Sequence, residues 1–250
     1  MSRRRTIVAA NWKMNHLTAD ARAFCDTFAA GDASAADAVV FPSFPLLATV
    51  AAGLAGSAAA WGGQDLHPEG SGAHTGDVSA PQLADLGCTW VLAGHSERRH
   101  DHGEDDATVA AKVAAAVRGG LRPMLCLGET RDERADGRTL AVLDRQLDAA
   151  LAVLPEDPER FAVAYEPVWA IGTGEVATPE IAQGAHRHLR ARVAERRGEA
   201  CAAALRILYG GSVKPGNAGE LIAQPDLDGF LVGGASLDAT SFLAIIAACA

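Results

Sequence analysis

The 250-residue chain has few cysteines and no pair of them close in sequence. Cys25, Cys88, Cys126, Cys201 and Cys249 are odd in number and widely scattered, with no C-x-x-C, so neither a disulfide framework nor a thiolate zinc site is expected. Reduced thiols in a cytoplasmic protein are the simplest reading. Positive charge is also short, with Lys+Arg 22 against Asp+Glu 31 and a net charge of -9, which argues against nucleic acid or an anionic membrane as partner. No window approaches ~18 uninterrupted apolar residues, so no membrane span is expected. The basic start Ser2-Arg3-Arg4-Arg5 leads into no apolar signal run, since Lys13 and Asn15 interrupt the segment, and no secretory or transit peptide is read there. The histidine pairs His100/His102 and His186/His188 are spaced i,i+2, which splays side chains apart on a helix. They are expected at the surface and not as metal ligands.

What is present is a large core, with 49% hydrophobic residues, arranged as short apolar strands alternating with helix-period segments. Strands are expected at 6–10, 37–41, 58–62, 90–93, 123–127, 161–165, 205–209 and 229–232. Thr18 is expected to cap a helix that buries Ala21, Phe24, Cys25 and Phe28, which fall at i, i+3, i+4 and i+7. Val109, Val113, Ala116 and Val117 line a second helix, ending at Gly119-Gly120. A closing helix carries Leu243, Ile245 and Ile246. Eight buried strands without hairpin turns point to a parallel sheet, and eight is the number that closes into a barrel. An open doubly wound sheet would carry Gly-x-Gly-x-x-Gly after its first strand, but Asn11-Trp12-Lys13-Met14-Asn15 stands there. The expected architecture is α/β: one (β/α)8 barrel domain over residues 1–250.

In such a barrel the chemistry sits after the strand ends. Strand one delivers Asn11 and Lys13, and strand four Gly94-His95-Ser96-Glu97. Strand five delivers Gly128-Glu129, strand seven Gly210-Gly211-Ser212 and strand eight Gly233-Gly234. Strand six ends in Tyr165-Glu166-Pro167, because proline cannot donate to a sheet ladder and biases Glu166 to an extended conformation. The apolar loop 168–174 follows, and Thr178-Pro179-Glu180 opens the next helix with a cap, a proline at its first position and an acidic first turn. An apolar loop pinned at both ends reads as a lid. Singly, a Glu before Pro is most often exposed, a Lys solvated and a His a satisfied polar group. Jointly they place a base, an imidazole, an ammonium, an amide and two Gly-rich turns on one face, and turns after the last two strands are where barrels bind phosphate.

Five stretches carry a resemblance: residues 11–15, 93–99, 164–174, 209–213 and 231–235. Together they resemble the triosephosphate isomerases, and the likeness runs from Asn11 to Phe242. The resemblance implies interconversion of dihydroxyacetone phosphate and D-glyceraldehyde 3-phosphate in glycolysis and gluconeogenesis, with no cofactor and no metal. It gives Glu166 the role of base and His95 that of neutral electrophile. Lys13 becomes the cation near the oxyanion, Asn11 a neighbouring donor, and Glu97 the partner of Lys13. Substrate binding falls to Asn11, Lys13 and the residues Gly172, Ser212, Gly233 and Gly234, the backbone amides near the last four resembling a phosphate cradle. It also implies that Trp169 pairs with Glu129 in one lid state and Tyr209 with Ala177 in the other, and that the loop 66–80 inserts Thr75 into a second copy, making a homodimer. The chain departs from the pattern at Glu175, where lysine is usual, at Asp77, where glutamate is usual, and at Asp65, where asparagine is common. A sister isomerase for a four-carbon sugar phosphate would use the same groups; a Schiff-base aldolase would use Lys13, but strand six ends in Glu166; and a non-enzymatic binding module would not need the base, electrophile and lid that are all retained.

Overall fold

Successive strand residues point to opposite faces, and here both faces are apolar: Ile7 and Ala9 belong to one buried cluster, Val8 and Ala10 to another. Such strands need cover on both sides, which a parallel sheet flanked by helices supplies. In the computed structural model, which describes residues 4–171 and 177–250, eight parallel strands close in sequence order. They are β1 (Ile7–Asn11), β2 (Asp37–Phe41), β3 (Ala60–Gly63), β4 (Trp90–Ala93), β5 (Arg122–Leu127), β6 (Ala162–Tyr165), β7 (Arg206–Tyr209) and β8 (Gly229–Val232). Closure pairs Ile7 with Gly229 and Ala10 with Val232. The expectations for Gly172, Gly174 and Glu175 lie outside the described residues.

Ile7, Ala9, Val39, Phe41, Leu92 and Met124 fill the barrel interior, together with Ala162, Ala164 and Leu208. The alternate residues, including Tyr165 and Tyr209, face an outer layer of helices. This period of two aims Asn11 and Glu166 into the barrel mouth, because they continue the inward series Ile7, Ala9 and Ala162, Ala164. The helices, in order, are α1 (Thr18–Ala29), α2 (Leu47–Leu54), α3 (Ala80–Asp85), α4 (Ser96–Asp101), α5 (Asp106–Arg118), α6 (Arg131–Ala135), α7 (Thr139–Leu151), α8 (Pro179–Arg197), α9 (Glu199–Ala204), α10 (Pro215–Ile222) and α11 (Ala239–Ala247). The stripe expected on α1 is the one buried, and Thr178 caps α8, its side chain accepting from the Ile181 N–H.

Local details differ from the sequence reading. Leu17, not Thr18, is the cap residue of α1, because Asp20 reaches back to accept the Leu17 N–H at 2.8 Å. On α5, Val117 is half-buried and Lys112 takes the buried place. The Lys112 ammonium meets both oxygens of Asp65 at 2.7 Å and Glu104 at 2.5 Å, while Arg98 reaches the same two acids at 3.1 and 2.8 Å. Burial opposes ionisation of Glu104, but hydrogen bonds from Lys112 and Arg98 outweigh it and hold that carboxyl below its usual range. At Asp65 burial wins over the same cations and its pKa is raised. The departure at position 65 thus sits in a charged cluster. The loop 66–80 is closed at its base by a parallel bridge between His67 and Ser79.

His186 is the largest correction: expected at the surface, it is fully buried on α8. Helix periodicity, not the i,i+2 splay, decides its place, since Ala182, Ala185, His186 and Leu189 form the inward stripe. Its partner His188 lies at the rim and meets Asp144 at 2.8 Å. Burial drives the His186 pKa from 6.5 down to about 3, only partly offset by the Asp226 carbonyl. The unfolded chain therefore takes up a proton near pH 6.5 that the folded chain refuses. As pH falls from 6.5 towards 3, stability should drop by on the order of 4–5 kcal/mol from this group. His186→Gln, which cannot titrate, should show a shallower loss across that window. Urea unfolding at stepped pH checks this, and parallel curves for the two proteins would remove His186 as the cause.

Candidate active site

Lys13 follows β1 with φ 51°, in the left-handed region that a lysine enters at a cost of about 1–2 kcal/mol. Its N–H donates to Asn11 Oδ1 at 3.0 Å, and its ammonium meets Glu97 Oε1 at 2.5 Å. The expected Lys13–Glu97 pair is present. From the other side, a Cβ on Gly233 would lie 3.6 Å from Lys13 Cε, so the turn after β8 adjoins the ammonium.

His95 follows β4 and is the cap residue of α4. Its Nδ1 accepts the Glu97 N–H at 3.3 Å, which leaves the ring proton on Nε2. Nε2 points at Glu166 Oε1, 2.9 Å away, and Glu166 Oε2 accepts the Ser96 N–H at 2.9 Å. His95 and Glu166 are 5% and 2% exposed, too dry for either charge to be solvated by bulk water. Burial lowers the His95 pKa and Lys13 lowers it further, yet the Glu166 carboxylate outweighs both and holds it above its ordinary value. In this unliganded pair the carboxylate favours the charged ring, while the Glu97 N–H donated to Nδ1 favours the neutral one.

These groups share one cavity of about 720 Å³. Asn11, Lys13, His95 and Glu166 line one wall, Gly210-Gly211-Ser212 and Gly233-Gly234 another, and Ile171 the edge. The turn Gly234–Ser236 is held by the Ser236 hydroxyl, which donates to the Val232 and Gly233 carbonyls at 2.9 and 2.7 Å. A helical turn leaves its first N–H groups without intrahelical partners, and such groups receive anions. The structure therefore brings together every proposed residue among those described: Asn11, Lys13, His95, Glu97, Glu166, Ser212, Gly233 and Gly234. Gly172 lies outside the described residues.

Sequence reading passed over three supports of Glu166. Ser96 contributes only a backbone N–H, which no side-chain pattern announces. Gly128 and Gly210 leave room where a Cβ would stand 1.8 Å from the Glu166 carbonyl oxygen and 2.9 Å from its Cγ. Behind them, Glu129 is fully buried, with Oε1 accepting from Trp169 Nε1 at 2.8 Å and from the Tyr165 hydroxyl at 3.2 Å. Burial raises the Glu129 pKa against these donors, and Arg134 lies over the Trp169 ring at 4.3 Å. The expected Trp169–Glu129 contact is thus in place. Burial also pushes the Tyr209 phenol up to about 12, partly countered by the Ala177 amide.

Among the described residues one trio has ligand atoms close enough for a cation: His67, His74 and Asp77 on the 66–80 loop. The two rings stack at 3.8 Å, but His67 Nδ1 already accepts the Glu69 N–H at 3.0 Å. The His67 proton is thereby placed on Nε2, the nitrogen facing Asp77. The trio shares no residue with the cavity that holds Glu166.

Against this geometry, a family model described as Triosephosphate isomerase matches residues 6–249. A relative named triosephosphate isomerase from Chloroflexus aurantiacus is 49% identical, covering 96% of this chain and 97% of its own. One of the same name from Cupriavidus necator is 51% identical over 97% of this chain and 98% of its own. Another from Symbiobacterium thermophilum is 51% identical over 99% and 98%.

Proposed function

The chain belongs to the triosephosphate isomerase family and is an isomerase of a phosphorylated sugar, and we propose that it interconverts dihydroxyacetone phosphate and D-glyceraldehyde 3-phosphate through an enediolate, with Glu166 as base. The observation that carries this reading is the facing of a buried carboxylate and a buried imidazole at 2.9 Å across a cavity that also holds an ammonium and two glycine turns. Moving a proton between adjacent carbons needs one base near the carbon and donors near both oxygens. Glu166 meets the first need; His95 Nε2, the Lys13 ammonium and the Asn11 amide meet the second. The substrate phosphate rests on backbone N–H groups near Ser212, Gly233 and Gly234. Glycolysis and gluconeogenesis are the setting this reaction fits.

In the unliganded site Glu166 is held by His95 and Ser96. A substrate carbon placed between the carboxylate and the imidazole separates the two, freeing the carboxylate to take a proton. Without that counter-charge, burial returns His95 towards its neutral form, whose Nε2–H bridges the substrate oxygens. The proton taken from one carbon returns to its neighbour, and the apolar Ile171 at the cavity edge helps keep water from the enediolate.

Turnover in deuterated water tests the scheme. Proton NMR should find solvent deuterium at the carbon next to the product carbonyl, since a carboxylate base exchanges its proton during the intermediate's life. Activity should persist after exhaustive chelation. Product wholly free of solvent label would indicate hydride transfer and defeat the proposal.

The second part of the proposal is a homodimer through the loop 66–80. Its tip is exposed, and a second cavity of about 380 Å³ beside Asn11 and Lys13 is rimmed by Met14, which is 94% exposed. Met14 shares that cavity with Phe44 and Pro45, and apolar surface grouped in this way suits a face covered by another copy. Thr75 of a second copy would enter beside Asn11 and Lys13. Deleting 72–75 is expected to give monomers in sedimentation with impaired turnover. A fully active monomer would separate assembly from the site.

A further inference from the structure

We propose that Gln64 is a positioning residue for Lys13: its side-chain amide holds the lysine backbone in the left-handed conformation from which the ammonium reaches the reaction cavity. The inference rests on the reading of Lys13 as the cation of the isomerisation.

A non-glycine residue at φ 51° persists only where its surroundings over-determine it. Here both peptide groups of Lys13 are held. Its N–H donates to Asn11 Oδ1 at 3.0 Å, and its carbonyl accepts from Gln64 Nε2 at 2.9 Å. The same nitrogen donates its second proton to the Phe41 carbonyl, also at 2.9 Å. A primary amide carries two N–H bonds on one nitrogen, so a single atom serves both acceptors without sharing a proton. The Phe41 carbonyl also receives the Trp12 N–H at 3.1 Å, which fixes the residue before Lys13 to the same point. Phe41 ends β2, Lys13 follows β1 and Gln64 follows β3, so one amide ties three consecutive strand ends together.

The anchor is itself anchored. Asp65, next in the chain, is bound by Lys112 and Arg98 in the buried charged cluster. Gln64 lines the cavity beside Met14 and does not line the one that holds Glu166 and the glycine turns. It acts through Lys13 and touches no reacting atom. With backbone fixed by Asn11 and Gln64, and Nζ fixed by Glu97, the ammonium has one position. Release of the carbonyl frees ψ, and with it the left-handed φ/ψ pair, so the side chain leaves in a different direction.

The test is a double-mutant cycle read by binding as well as by turnover. Gln64→Met keeps the side chain's length and removes both N–H donors. It is expected to lower kcat/KM by about tenfold to a hundredfold, the scale of an ångström's misplacement of a charged group. Isothermal titration with inorganic phosphate should show affinity weakened by about fivefold or more in Gln64→Met, and no further change when the substitution is added to Lys13→Met. Equal weakening in both backgrounds would mean a general structural effect and overturn the proposal. So would wild-type kcat/KM in Gln64→Met while Lys13→Met is inactive. Wild-type turnover in Lys13→Met is a different result, which would remove the role given to Lys13 and the inference with it. Gln64→Glu, of the same shape and without N–H donors at neutral pH, repeats the measurement if Gln64→Met does not fold.

Discussion

Glu166→Asp is expected to lower kcat by about a hundredfold with little change in KM, because withdrawing the carboxylate by ~1 Å is enough to lose the alignment that proton abstraction needs. Shortening a base is often tolerated where the backbone can move up to compensate. Here it cannot. The Glu166 carbonyl oxygen lies 1.8 Å from where a Gly128 Cβ would be, and Glu166 Cγ lies 2.9 Å from the corresponding point at Gly210. Its N–H is bonded to the Leu127 carbonyl at 2.8 Å, and Gly210 N–H donates to the preceding Tyr165 carbonyl at 2.7 Å. The residue is clamped between β5 and β7, so the missing methylene stays missing. Glu166→Gln keeps the shape and abolishes the base, and should lose about 10²–10⁴-fold. The residues proposed to hold phosphate are untouched in both variants, so KM should move little. Steady-state kinetics in both directions decides it, and near-full activity in either variant would take the base from Glu166.

His95→Gln is expected to lower kcat by about 10²–10³-fold, the effect of removing one donor aimed at a developing oxyanion. The glutamine can donate, but its amide does not occupy the Nε2 position fixed by the Glu97 N–H on the far side of the ring. A linked result concerns the ring's charge. Burial alone would depress the His95 pKa; the Glu166 carboxylate reverses the sign and raises it. In Glu166→Gln that counter-charge is gone, and the His95 pKa should fall below its ordinary value, as read by NMR of the ring across pH. The linkage has a sign as well. With the folded value above the unfolded one near 6.5, the His95–Glu166 contact contributes stability below about pH 6.5 and loses it as pH rises through the folded value. Glu166→Gln should therefore lose proportionally more stability on the acid side of that window. A His95 pKa unchanged between the two proteins would show that the carboxylate is not what governs the ring, and that substrate entry cannot be what neutralises it.

The barrel was legible in the sequence because a strand buried on both faces must be apolar throughout, and eight such runs separated by helix-period segments admit few arrangements. The boundaries of β2, β4 and β8 fall where the apolar runs do; β3 is displaced by two residues at its start because Ala58 and Ala59 look like the strand they precede. The strand-end residues Asn11, Lys13, His95 and Glu166 were legible for the same reason: in a parallel barrel the chain order of strand ends is also their spatial order around one mouth. Other features depend on contacts between segments far apart in the chain. His186 reads as a surface residue by spacing to His188 and becomes a buried, uncharged one only once α8 packs on Tyr165 and Tyr209. Lys112 occupies a core position because Asp65, 47 residues earlier, joins the local Glu104 in neutralising it. The state of His95 is set by Glu166, 71 residues away, and no local pattern encodes a charge that distance decides. The clamp on Glu166 is made by backbone, and the Gln64 side chain acts on the backbone of Lys13, so neither shows as a pattern of paired side chains. Sequence alone determined which groups reach the mouth of the barrel, because periodicity fixes direction; only the tertiary structure decided how each is held and charged, because burial and Coulomb forces act through space and not along the chain.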